Sequence, residues 1–254
     1  MTGHGICHRL AWWAEHPADG PAGHIRLVVP DGGPALLEVG LVGSDIVGPG
    51  ASCVLVTDHS VPPPTGGGLE VRASGLWAEV VVEEEPASGG RPVDEGPVRG
   101  HVGVGLEAFG VALGDPDDAW RGGPDHQFRG DRVPVGLDLG GEAVADPVIG
   151  WWGIGVPCRV AGEVLVADRA IDVDGWGWWV IGPAGPPTDL VMARESDGAW
   201  VVADGGWSVD VPVGRAPVLI TDPDGAVTRV DRRFGALVHG DGRRAVGWIE
   251  VGAG

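Results

Sequence analysis

The chain has 254 residues with 47 Gly and 22 Pro, yet it is 43% hydrophobic and carries 12 Trp, which excludes a solvated, disordered coil. It contains no Lys, no Tyr and no Asn, so all 17 basic residues are Arg, and Schiff-base, phosphate-loop lysine, Ser–Lys and Tyr–Lys chemistries are excluded. A formal net charge of −19 at pH 7 repels polyanions and argues against nucleic acid and anionic membrane surfaces as partners.

Short Val- and Leu-rich runs recur about every ten residues between Gly, Pro and Asp, the pattern of a sandwich or barrel. The first half predicts strands at Ile25–Val29, Leu36–Leu41, Cys53–Thr57, Leu69–Ser74, Trp77–Glu83 and Val102–Leu113. Asp115–Arg121 predicts one helical turn, because Asp-Pro followed by acids favours a helix N-terminus. The second half predicts strands at Val133–Leu139, Cys158–Ala167, Leu190–Ala193, Ala199–Ala203 and Trp207–Val213. It closes on a meander of Val218–Thr221, Ala226–Val230, Gly235–His239 and Ala245–Val251. Asp222-Pro-Asp-Gly225 and His239-Gly-Asp-Gly242 supply its turns. About fifteen strands suit two barrels of roughly eight, and the Asp-, Gly- and Pro-rich stretch from Gly114 to Gly130 is the candidate boundary. Lys, Asn and Tyr all use A/T-rich codons, so part of the Gly and Pro content reflects genomic composition.

Cys7, Cys53 and Cys158 are widely spaced and form no CxxC, which fits packed thiols in a reducing cytosol. Met1–Leu10 has no apolar signal core, and Val148–Val156 is too short and too broken by Gly to span a bilayer. The expectation is a soluble cytoplasmic protein.

Few motifs carry chemistry. His4, Cys7 and His8 are metal-ligand types without a third or fourth ligand at fixed spacing, and no metal is expected. Asp222-Pro-Asp-Gly225 lacks the third acid and the closing Glu of a calcium loop. No Gly-x-Ser-x-Gly occurs, and Gly103-Val-Gly105 lies inside a strand pattern with no helix after it. Thr57-Asp58-His59-Ser60 has catalytic residue types, but neighbours on a strand point to opposite faces, so a strand-capping turn is the plainer reading. On the strand around Val104–Leu113, Glu107 shares a face with Phe109, Val111 and Leu113. Lining a cavity, such a carboxylate would act as a general acid; paired with Arg or at a rim, it would be inert. Trp151, Trp152, Trp176, Trp178 and Trp179 cluster in sequence, with Trp176 and Trp178 on one strand face and Trp179 on the other.

A set of blocks in order resembles the hydroxyneurosporene-synthase/AttH-like, lipocalin-like family that includes carotenoid hydratases. The blocks are Leu69-Glu-Val-Arg-Ala-Ser-Gly-Leu-Trp77-Ala, Val104-Gly-Leu-Glu107-Ala-Phe109-Gly and Gly130-Asp-Arg-Val-Pro-Val-Gly-Leu-Asp138-Leu. Cys158-Arg-Val-Ala-Gly-Glu-Val, Asp174-Gly-Trp176-Gly, Thr221-Asp-Pro-Asp-Gly225 and Gly247-Trp248-Ile-Glu250 follow. The resemblance implies two tandem lipocalin-like antiparallel β-barrels, an apolar ligand between or within them, and cofactor-free hydration, pericyclic or cyclisation chemistry in the wider group. It also includes stress-related lipid-binding relatives without a clear reaction. The family's Arg-Asp-His-Ser-Trp-Gly block is missing, since Gly177 runs directly into Trp178-Trp179-Val-Ile. No catalytic residue of that block carries over.

The sequence therefore leads to an all-β fold of two tandem barrels, residues 1–120 and 121–254. The expected function is binding of an apolar isoprenoid, lipid or polyketide-like molecule lined by some of Trp77, Phe109, Trp152, Trp176 and Trp179, with no cofactor, no nucleic acid and no membrane insertion. The alternative is a cofactor-independent hydratase, isomerase or cyclase with Glu107 as general acid and aromatic faces steadying a cation.

Overall fold

A computed structural model describes residues 5–15, 21–30, 35–43, 46, 53–61, 70–73, 76–84, 100–121, 130–183, 190–221 and 227–253. Side chains are described within these spans except at 30, 35–36, 56–84, 100, 204, 220–221 and 253. The fold is all-β. Its strands are β1 (Gly5–Ala14), β2 (Ala22–Pro30), β3 (Ala35–Val42), β4 (Cys53–Val61), β5 (Glu70–Ala73), β6 (Leu76–Glu84), β7 (Gly100–Leu113), β8 (Asp131–Ala143) and β9 (Val148–Gly150). They continue as β10 (Gly153–Val166), β11 (Arg169–Pro183), β12 (Leu190–Glu195), β13 (Trp200–Asp204), β14 (Trp207–Arg215), β15 (Val218–Thr221), β16 (Val227–His239) and β17 (Arg244–Ala253).

Eight of these close a barrel. The ladder runs β4-β3-β2-β1-β11-β10-β8-β7, and β7 returns to β4 through Cys53–Leu113, Val54–Ala112 and Leu55–Val111. All the pairings are antiparallel, β6 and β5 extend the sheet beyond β7, and β9 adds to β10. Alternation decides which side chains go inside, because residues directly opposite in a ladder share a face. Leu10 and Trp12 of β1, Ile25 and Leu27 of β2, Leu37 and Val39 of β3, Val104 and Leu106 of β7 and Trp179 of β11 meet in one buried cluster, the barrel core.

The remaining strands form a second sheet ordered β13-β12-β17-β16-β14, with β15 on β16. One face lies on the barrel wall, where Leu190, Met192, Phe234 and Trp248 pack with Ala11, Trp13, Val42 and Trp178. On the other face Val191 of β12 meets Trp207 of β14, two strands that are not neighbours, so the sheet curves over a core of its own. The all-β expectation is met by one closed barrel and one curved sheet. The stretch from 114 to 130 connects two strands of the same sheet, since β7 pairs β8 from His101–Glu142 to Ala112–Asp131 and β1 pairs β11 across it. Its expected helical turn is there: Pro116–Ala119 is a 3-10 turn capped by Asp115, whose Oδ1 accepts from the Asp117 amide at 3.0 Å. Among the described residues no helix is long and apolar enough to cross a membrane.

Two tryptophans fasten the sheet to the barrel. Trp178 Nε1 donates to the Ala193 carbonyl at 3.0 Å, and Trp248 Nε1 donates to the Trp12 carbonyl at 3.2 Å. Each satisfies a buried indole N–H that would otherwise be costly.

Candidate functional site

The predicted site residues with described side chains do not come together. Trp179 is buried in the barrel core, whereas Trp152 and Trp176 belong to the packing between barrel and second sheet. Trp176 lies between the guanidiniums of Arg159 and Arg194, at 4.5 and 4.0 Å from its centroid, with Trp200 edge-on at 5.8 Å. Phe109 is 53% exposed under Arg132, 4.4 Å from its ring centroid. Trp77 and the Thr57–Ser60 side chains lie outside the described residues. Glu107 is exposed beside Phe109 on the outer face of β7, over an open depression of about 470 Å³ that Pro134 and Leu165 also line. The alternation is as the sequence implies, with Val104, Leu106 and Ala108 on the core side, so Glu107 lies outside the barrel and not in an enclosed apolar cavity.

The barrel interior has its own polar atoms. His8 stands opposite Leu27 and Ile181, Trp12 opposite Gly23 and Gly177, and Trp179 opposite Leu10 and Val156, which turns all three side chains inward. The Trp12 indole lies flat over Gly23, and a Cβ there would overlap the ring. His8 stacks on Trp179 with centroids 6.3 Å apart and planes 15° apart. His8 Nδ1, Trp12 Nε1 and Trp179 Nε1 are buried with no hydrogen-bond partner among the described residues. Burial pushes the His8 pKa down to about 4, so the ring is neutral at pH 7. Beyond His8 the inward rows run to a rim of Ile6 opposite Val29 and Ile154 opposite Ile181, with Ile6 and Ile154 about half exposed at 52% and 43%. Sequence reasoning weighed His8 as a metal ligand and passed over Trp12. The readable signal was the alternation His8, Leu10, Trp12 against Arg9, Ala11, Trp13.

On the outer side of the same wall lies a buried charge network that the sequence did not reveal. Glu38 of β3 accepts from Arg26 Nη1 and Arg232 Nη2, both at 3.1 Å, and Arg232 Nε donates to Glu250 Oε1 at 2.9 Å. His24 Nε2 stands 2.6 Å from Glu250 Oε1, and Arg9 Nε is 3.7 Å from Oε2. All six side chains are buried. Burial drives the His24 pKa down to about 4 against the pull of Glu250. Burial works against ionisation of the two glutamates as well, but Arg26 and Arg232 hold Glu38 below its ordinary range, and His24, Arg232 and Arg9 hold Glu250 well below. The network joins β1–β3 to β16 and β17. It has no exposed member through which a ligand would reach it, so its role is to join the two units.

The three cysteines are buried and unpaired, and burial pushes the thiols of Cys53 and Cys158 up to about 12, too high for a thiolate nucleophile. Among the described residues no group of three His, Cys, Asp or Glu side chains is gathered as metal ligands would be.

No family model matches the chain, and no curated protein matches it. A solved structure of a provisionally assigned AttH from Nitrosomonas europaea is similar, with 10% identity, 97% of this chain and 92% of that chain covered, and a TM-score of 0.45. A likeness at that level says nothing of ligand or reaction.

Proposed function

We propose that the chain binds a neutral, largely apolar small molecule of isoprenoid, lipid or polyketide type inside its eight-stranded barrel. An eight-stranded barrel has room either for packed side chains or for one small ligand. The observation that carries the reading is the set of three inward polar atoms, His8 Nδ1, Trp12 Nε1 and Trp179 Nε1, buried without partners among the described residues in a described lining that is otherwise apolar. Each unmade bond costs on the order of 1–3 kcal/mol, which a ligand oxygen would recover. Neutrality follows from His8, whose pKa near 4 leaves no cation in the described lining to balance a carboxylate. Ile6 and Ile154, each about half exposed, put apolar surface at the barrel rim. No observation favours the hydratase, isomerase or cyclase alternative, because its acid, Glu107, faces solvent.

The test is a fluorescence titration with farnesol and with farnesene, which has a similar apolar chain but no hydroxyl. Saturable quenching is expected, with the alcohol about tenfold tighter if its oxygen makes one good hydrogen bond. Trp179→Phe should remove most of that difference while leaving hydrocarbon binding nearly unchanged. A flat response across neutral terpenoids, sterols and long-chain ketones would sink the reading.

A further inference from the structure

A second site lies outside the barrel. The 3-10 turn Pro116–Ala119 and strands β14 and β16 enclose an open cleft of about 1150 Å³, much larger than an inorganic ion needs. Four of the chain's 17 arginines line it, Arg121, Arg215, Arg229 and Arg233, with Asp117 the one carboxylate among the described lining residues. In a chain of net charge −19 that is an unusual concentration of cations.

The pairing pattern shows which guanidiniums are committed. Arg121 is held by Asp115 at 2.7 Å and Asp118 at 2.5 Å. Arg215 and Arg233 stand directly opposite each other across β14 and β16, a like-charge pair that would be unfavourable alone. Buried Asp231 bridges them, accepting from Arg215 Nε at 2.5 Å and from Arg233 Nε at 2.7 Å, and Asp117 takes Arg215 from the turn. Arg229, two residues along β16 from Asp231, is exposed and makes no ion pair among the described residues. Among the described residues the four arginines face four carboxylates, Asp115, Asp117, Asp118 and Asp231, and Arg229 is the one arginine bound to none of them.

Beside that charge the cleft is apolar. Trp120 carries the Arg215 guanidinium 4.5 Å from its ring centroid and anchors its Nε1 to the Val218 carbonyl at 3.4 Å. Pro212 and Val213 form the facing side. Two register shifts in β14, between Val209 and Val211 and between Pro212 and Gly214, re-aim these residues, as bulges commonly do beside a site.

We propose that this cleft binds an organic monocarboxylate, with the carboxylate on Arg229 beside Arg233 and the apolar body along Trp120, Pro212 and Val213. Arg229 is exposed and bound to none of the described carboxylates, and its planar guanidinium fork suits a carboxylate. This site is separate from the barrel interior, whose lining favours neutral ligands.

Calorimetric titration of the full chain with decanoate and with decanol, at 20 and 200 mM NaCl, tests the proposal. Decanoate binding should weaken at the higher salt, whereas decanol binding, which the barrel interior would also accept, should not respond to salt. Arg229→Ala removes no partner from any described carboxylate, so the fold stays intact; decanoate affinity should fall about tenfold and decanol binding should not change. Arg229→Glu should abolish decanoate binding. His8→Leu, which alters the barrel, should leave decanoate binding untouched, so failure of the barrel reading and failure of this one are distinguishable. Decanoate binding unaffected by salt, or unaffected by either Arg229 variant, overturns the proposal.

Discussion

His24 and His8 lie on opposite faces of one barrel wall, and burial holds both near pKa 4 for different surroundings. His8 sees an apolar interior and a tryptophan face, with nothing to compensate the cost of a charge. His24 sees Glu250, which favours its cation, and Arg232 and Arg9, which oppose it; burial decides the balance. Both pKa values lie below the unfolded value of 6.5, so between pH 6.5 and 4 the unfolded chain binds more protons and stability falls as pH falls. Each histidine contributes a slope of roughly 1.4 kcal/mol per pH unit in the middle of that window. The depressed glutamates add to the loss only at lower pH, as the solution passes below the ordinary carboxylate range towards their folded values. Urea unfolding measured between pH 6 and 5 should show the combined slope, and His24→Gln should reduce it by one proton's worth whatever its effect on absolute stability. An unchanged slope in that variant would mean that His24 does not titrate on unfolding.

At the scale of the strand, close approach between units depends on glycine. Gly214 of β14 lies against Val42 of β3, and a Cβ at 214 would stand 2.5 Å from the Val42 Cβ. Gly214→Val should therefore force β14 off the barrel and cost about 1–3 kcal/mol, read as a lower urea midpoint. Gly240→Ala, at a turn where nothing lies within 4 Å, should be nearly neutral and serves as the control. The strands most readily seen in the sequence have turn residues on both sides. The expected Val102–Leu113 is β7 almost to the residue, and the His239–Gly242 turn stands where the sequence put it. Strands β1 and β11 are less legible in the sequence, although their pairing from Ile6–Pro183 to Ala14–Gly175 joins the two halves of the barrel. β1 hides because His8 and Arg9 interrupt its apolar run, and both become acceptable only once the long-range ladder and the second sheet cover them. By local pattern β16 divides into two strands for the same reason: Asp231-Arg232-Arg233 resembles a loop, yet Arg232 is wholly buried between two glutamates. Local pattern exposes a strand's faces, as at Glu107 and Phe109, but not which face a distant strand will cover.

For the whole molecule, the decisive surface is the outer wall of the barrel, which serves as the inner floor of the second sheet. Trp13, Phe234 and Trp248 pack there with ring centroids 5.3–6.3 Å apart, next to six buried ionisable side chains contributed by both units. Neither unit keeps a water-compatible surface if the other leaves, because the barrel would expose Trp13 and Trp178 while the sheet would expose Met192, Phe234 and Trp248. The two should therefore unfold as one cooperative body despite their separate ladders. Tryptophan fluorescence and far-ultraviolet circular dichroism should give superimposable urea transitions. Arg232→Met is the most demanding test, since it deprives Glu38 and Glu250 of their shared cation; losing one partner of a buried pair costs about 3–5 kcal/mol. If the junction holds the molecule together, both probes should shift to lower urea by the same amount. A variant in which one probe shifts and the other stays would show that barrel and sheet unfold independently, and that the network stabilises only its own sheet.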